Sequence, residues 1–137
     1  MKLSFNKQPV SNTSQLNLFG DSFNTGDPVI FKFISPYTVS VQFGIFIDYM
    51  FNGESCKIET SGSIVLIKNE DVKRAKLVVA DGFNIREYDT VFAGDAVGMV
   101  VELDVDNRYN TVGAWVDQGN NENYFKLQNI KVFKELI

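Results

Sequence analysis

From Thr38 to Phe51, apolar residues recur at every second position. Val39, Val41, Phe43, Ile45, Ile47, Tyr49 and Phe51 fall on one side; Ser40, Gln42, Gly44, Phe46, Asp48 and Met50 fall on the other. A period of two is the mark of an extended strand with one buried face. The stretch exceeds the usual strand of about 5–6 residues, so a bend is expected at Gly44. The second side begins polar and turns apolar at Phe46 and Met50. With Phe51 at the strand end, these residues predict an interface covered by a neighbouring subunit.

Shorter segments of the same kind surround it: Lys2–Lys7, Gln15–Phe19, Val29–Ile34, Cys56–Thr60, Ser63–Ile67, Lys76–Ala80, Asn84–Phe92, Val97–Val105, Thr111–Asp117 and Tyr124–Leu136. Asn52-Gly53, Asp81-Gly82 and the run Gln118-Gly119-Asn120-Asn121 are turn signals between them. In the eighth of these, Val97, Met99, Val101, Leu103 and Val105 are expected to point inward. In the ninth, Val112, Ala114 and Val116 share a face and Trp115 points the other way. Phe125/Leu127 and Ile130/Val132 differ in parity, which predicts a bulge near Gln128-Asn129. Only Asn69–Ala75 reads as helical, one turn capped by Asn69 with acids first and bases last. The pattern predicts an all-β fold, an antiparallel β-sandwich, jelly-roll-like, of about nine or ten strands in a single domain over residues 1–137.

Composition narrows the chemistry. The 137 residues include twelve Phe, one Cys and no His, so the commonest general base and metal ligand is missing. Cys56 has no histidine partner, and it reads as a structural, half-buried thiol. The net charge is −4, which speaks against a phosphate-backbone binder and predicts no nucleic-acid partner. Residues 1–68 balance five Lys against five Asp/Glu, whereas residues 69–137 set eight Lys/Arg against twelve Asp/Glu. The second half therefore predicts an acidic face. The opening Met-Lys-Leu-Ser-Phe-Asn-Lys has no apolar signal-peptide core, and no apolar run nears the ~20 residues of a membrane span. The expectation is synthesis in a cytoplasm, with no membrane partner.

Three constellations carry candidate chemistry. Asp104 and Asp106 share a face at a strand end and could offer oxygen ligands to calcium, although Arg108 stands where a further ligand belongs. Trp115, Tyr109 and Tyr124 are candidates for stacking on the apolar faces of sugars. Phosphate loops, nucleophile elbows and paired-cysteine motifs do not occur, and no catalytic residues are assigned.

Two resemblances bear on function. Asn17-Leu-Phe-Gly20-Asp21-Ser22-Phe23-Asn24-Thr25-Gly26 resembles the Asn-Gly-Asp-Phe-x-x-Gly opening of jelly-roll carbohydrate-binding modules. Tyr124-Phe-Lys-Leu-Gln128-Asn129-Ile-Lys-Val132-Phe-Lys resembles their closing strand, with Gln128 where that family has Asp. The likeness implies a jelly roll, glycan binding and a structural calcium held by the opening acid and the closing Asp. In composition the chain is similar to the small β-sandwich structural proteins of tailed phages. That likeness implies a capsid-decoration, fibre-anchoring or tail component located in the virion. The expected function is a non-enzymatic virion structural protein that contacts other virion proteins or copies of itself, needing no cofactor. Carbohydrate binding is the alternative.

Overall fold

The β-branched and aromatic runs form ten antiparallel strands in the computed structural model, which describes residues 22–136. The expected strands Lys2–Lys7 and Gln15–Phe19, and the Asn17–Asp21 part of the opening motif, lie outside the described residues. In chain order the strands are β1 (Pro28–Ile34), β2 (Val39–Met50), β3 (Ser55–Thr60), β4 (Ser63–Lys68), β5 (Val72–Val79), β6 (Thr90–Ala93), β7 (Ala96–Val105), β8 (Thr111–Asp117), β9 (Glu122–Lys126) and β10 (Ile130–Glu135). They make one open ladder in the order β4-β3-β2-β1-β5-β10-β6-β7-β8-β9. Two meanders, β1–β4 and β6–β9, are joined through the central β5–β10 pair. The all-β antiparallel class and the strand number agree with the sequence, and the fold is sandwich-like.

Each half of the ladder curls around its own core. Val29, Phe31, Phe46, Cys56, Ile58, Ile67 and Val72 bury one side of the β1–β5 half, with Phe23 packed on them. Val91, Ala93, Val100, Ala114, Val116, Ile130 and Val132 fill the other half, closed by Ile85. Ile45, Val97 and Phe133 join the two, with Phe43 and Phe133 stacked at 5.5 Å. Each buried Val, Ile or Phe among them stabilises the fold by about 1.5–3 kcal/mol. The halves also touch through polar groups: the Val97 N–H donates to the Glu59 carboxylate at 3.0 Å. The β3–β4 and β8–β9 turns meet so closely that a Cβ on Gly119 would lie 2.8 Å from Gly62 Cα.

Register slips interrupt the alternation expected of β2 and of β7. In β2 the ladder slips between Phe46 and Asp48, so Ile47 is the extra residue. Before the slip Phe43 and Ile45 face the second half of the sheet and Phe46 the first core; the slip brings Tyr49 onto the side of Phe46. Val39 and Val41, expected to be inward, are 61% and 63% exposed. In β7 the slip falls between Val100 and Glu102. Val97 and Val100 are buried, whereas Val105 is 46% exposed rather than inward. The break near Gln128-Asn129 is a 3-10 turn, Leu127–Asn129, and not a bulge within one strand. It carries the chain from β9, at the sheet edge, to β10 at its centre.

Two local expectations are corrected. The helical turn expected over Asn69–Ala75 is a 3-10 turn at Asn69–Asp71 only, and β5 begins at Val72. Burial of Val72 and Ala75 in the sheet outweighs the local charge pattern that favoured a helix. Asn69 caps nothing there. Its amide donates to Gly53 O at 3.3 Å and accepts the Cys56 thiol at 3.6 Å, tying the β2–β3 turn to β4. Of the strand expected over Asn84–Phe92 only Thr90–Phe92 is extended, as part of β6. Residues 84–89 form a loop held by the Asp81 carboxylate, which accepts the Phe83 and Asn84 N–H groups.

Candidate functional site

The outer face of β7–β9 carries the densest arrangement of exposed functional groups. β8 alternates cleanly: Ala114 and Val116 are fully buried, and Trp115 turns outward at 42% exposure. In the ladder Trp115 lies between Glu102 of β7 and Tyr124 of β9. Directly opposed residues of an antiparallel pair share a face, so the three form a cross-strand row. The Trp115 and Tyr124 rings meet edge-on, 5.2 Å apart and inclined at 61°.

Gly113 makes room for the Tyr124 phenol. A Cβ there would sit 2.7 Å from Tyr124 Cζ and 2.7 Å from the Phe125 carbonyl oxygen. The ring therefore lies across β8, and its hydroxyl donates to Asp104 Oδ2 at 2.6 Å. The Asp104 carboxylate beside it raises the Tyr124 pKa above the ordinary phenol value. Asp117 and Glu122 oppose each other one row further on, giving Glu102, Asp104, Asp117 and Glu122 around the aromatic pair, with Lys126 at the rim opposite Gly113.

The other candidate residues are more scattered. Tyr109 is 90% exposed in the β7–β8 turn with φ 64°, apart from the Trp115–Tyr124 pair. Asp106 belongs to that turn, accepting N–H groups of Arg108 at 2.8 Å and Asn110 at 3.0 Å. Those backbone donors, Asn110 first, hold its carboxyl below the ordinary value. Asp104 and Asp106 thus serve different donors, and no group of three potential metal ligands occurs among the described residues. Of the interface candidates, Phe46 is buried against Phe23 and Tyr49, Met50 is half-buried, and Phe51 is 63% exposed in the β2–β3 turn. Phe46 lies in the core because mid-β2 is covered on both faces: Ile45 meets the second half of the sheet, and Phe46, opposite Ile58, enters the first core. Cys56 is fully buried, and burial pushes its thiol pKa up to about 12.

Two features escaped the sequence. On the β1–β2 hairpin, Ile34 opposes Val39 and Lys32 opposes Val41, and the three apolar side chains are each more than 60% exposed. This stripe continues directly from Phe43, so an apolar surface runs out of the core into solvent. Phe51, Tyr88 and Tyr109 all hold φ values between 57° and 72° with their rings outside the core. Left-handed backbone costs a bulky residue about 1–2 kcal/mol, and neither alternation nor turn propensity marks such positions. No helix among the described residues is long and apolar enough to cross a membrane. No protein-family model matches the sequence, and no curated protein matches it.

Proposed function

We propose that this chain is a non-enzymatic structural protein of a virion, a capsid-decoration, fibre-anchoring or tail component that acts through protein–protein contacts. The observation that carries the reading is the Ile34–Val39–Val41 stripe. Apolar side chains at this exposure gain little from burial in an isolated chain, and a contiguous patch that opens from the core is the mark of a contact surface. Covering it with a partner extends the core of the β1–β2 hairpin instead of building a separate interface. The test is quantitative mass spectrometry of purified particles from the source of the sequence. The expected result is this chain in fixed proportion to a shell or tail protein; a chain absent from every particle overturns the reading.

Carbohydrate binding is the second reading, favoured by the exposed Trp115–Tyr124 pair with Asp104 and Glu102 as acceptors for sugar hydroxyls. Glycan-array binding lost in Trp115→Ala would support it, and no binding to any glycan would remove it.

A further inference from the structure

The acidic face around Trp115 has a complement on the same chain. Lys76 of β5 and Lys134 of β10 stand directly opposite each other in the ladder, both exposed. Like charges so placed repel, and neither lysine has an ion-pair partner among the described residues. Lys134 also lines a cleft with Arg86 and Asp89, whose rim exposes Phe83 at 90%. The Asp89 carboxylate there already accepts the Arg86 backbone N–H at 2.9 Å. The arrangement is a basic patch at the centre of the ladder with one exposed aromatic ring beside it.

The acidic face is incomplete in the opposite sense. Glu102 and Glu122 have neither an ion pair nor a hydrogen bond among the described residues. Asp117 accepts the Gly119 N–H at 2.9 Å, and Asp104 accepts the Tyr124 hydroxyl. Among the described residues Lys126 is the one cation in the β7–β9 rows of this face, leaving an acidic surplus about the indole.

The two surfaces cannot neutralise each other within one chain. Lys134 lies two residues beyond Val132, on the side of the sheet that carries Val132, Ala114 and Val116. Trp115 and its carboxylates lie on the opposite side, three ladder positions away. Between copies the obstacle disappears.

We propose that these surfaces bind each other in trans, the carboxylates about Trp115 and Tyr124 of one copy receiving the Lys76–Lys134 patch of the next. The inference rests on the reading that the chain works through protein contacts, and it names a second copy as one partner. An ammonium group set over the Trp115 ring between Glu102 and Glu122 gains both cation–π attraction and charge pairing. Because the two patches differ, the contact is heterologous, and repeating it gives a ring or a filament rather than a closed two-fold dimer.

Charge reversal tests it. Sedimentation velocity of the wild-type chain at low salt should show mass above the 15.4 kDa of one copy. Raising salt to about 1 M, where screening falls to about 3 Å, should return it to a monomer. Glu102→Lys/Glu122→Lys and Lys76→Glu/Lys134→Glu should each be monomeric alone. An equimolar mixture of the two should associate again, since each then offers the other a complementary surface. That rescue also shows that both variants are folded. A wild-type chain that stays monomeric at low salt overturns the inference, as do reversed variants that associate like wild type. So does saccharide binding at Trp115 that persists in high salt on a monomeric chain. Particle composition is a separate readout: a chain found in particles while self-association fails leaves the structural reading standing and removes only this contact.

Discussion

Tyr124 and Asp104 are joined across an intervening strand: the phenol of β9 passes over Gly113 of β8 and donates to the carboxylate of β7 at 2.6 Å. Three strands at the edge of the sheet are thereby tied on their outer face. Trp115 is wedged beside the tie, which sets the edge-on angle of its ring.

A side chain at Gly113 should break this arrangement. Gly113→Val places methyl groups where the Tyr124 ring and the Phe125 carbonyl lie, at a cost of about 1–3 kcal/mol from overpacking. Urea unfolding should register the loss, and the near-ultraviolet dichroism of Trp115 should change with it. Equal stability and an unchanged spectrum would contradict the account.

The tie also sets the alkaline behaviour of the site. The raised Tyr124 pKa means that its neutral, donating form is favoured by folding. The corresponding stability is intact below the ordinary phenol value near 10 and is lost as pH rises through the elevated one. Absorbance titration should find one late-ionising tyrosine whose pKa falls in Asp104→Asn. Tyr49, raised chiefly by its burial, should titrate late in both proteins.

Phe46 and Phe51 should respond oppositely to truncation. Phe46 is 2% exposed and fills the first core, so Phe46→Ala should cost about 3–5 kcal/mol. Phe51→Ala, at 63% exposure, should stay within about 0.5 kcal/mol. Thermal unfolding of the pair checks that β2 is covered on both faces at its middle, because a strand buried only on its Val39–Phe51 side would give these residues the reverse ranking.

Tyr109 should be a stability cost that the fold can shed. Asn tolerates the left-handed region better than Tyr does, so Tyr109→Asn should stabilise the chain, by about 0.5–1 kcal/mol. A lower unfolding midpoint would show that the exposed ring packs on something in the folded chain.

Cys56 should be unreactive until the protein unfolds. With its side chain fully buried and its pKa near 12, the thiolate is scarce at neutral pH. Reaction with an aromatic disulfide reagent should follow global unfolding, and fast labelling in native buffer would contradict that. Stability should be flat between about pH 5 and 8, since no histidine titrates there. The Asp106 turn loses its stabilising contribution only as pH falls from the ordinary carboxylate range through its lowered value.

The sequence carried the fold class because alternation is a local signal. Val97–Val105, Thr111–Asp117 and Ser63–Ile67 each match an observed strand within a residue at either end. The outward turn of Trp115 was readable for the same reason: β8 runs without a slip from Gly113 to Asp117. Bulges defeat that logic. Inserting Ile47 or Val101 leaves composition untouched yet exchanges the two faces beyond it, so Tyr49 joins Phe46 in the first core. The exposed stripe was hidden for a related reason. Val39 and Val41 have the same alternation as buried Ile45, and only the packing of the second half of the sheet decides which of them is covered. The Tyr124–Asp104 contact joins residues 20 apart through a glycine, which no spacing rule marks.

The most direct test of the central claim is the incorporation of Val41→Glu into particles, measured by mass spectrometry against the wild-type chain with thermal unfolding as the control. Val41 is 63% exposed, so the charge should leave the unfolding midpoint unchanged. The account predicts that the variant is folded yet largely missing from purified particles. Equal incorporation of the two chains would contradict it.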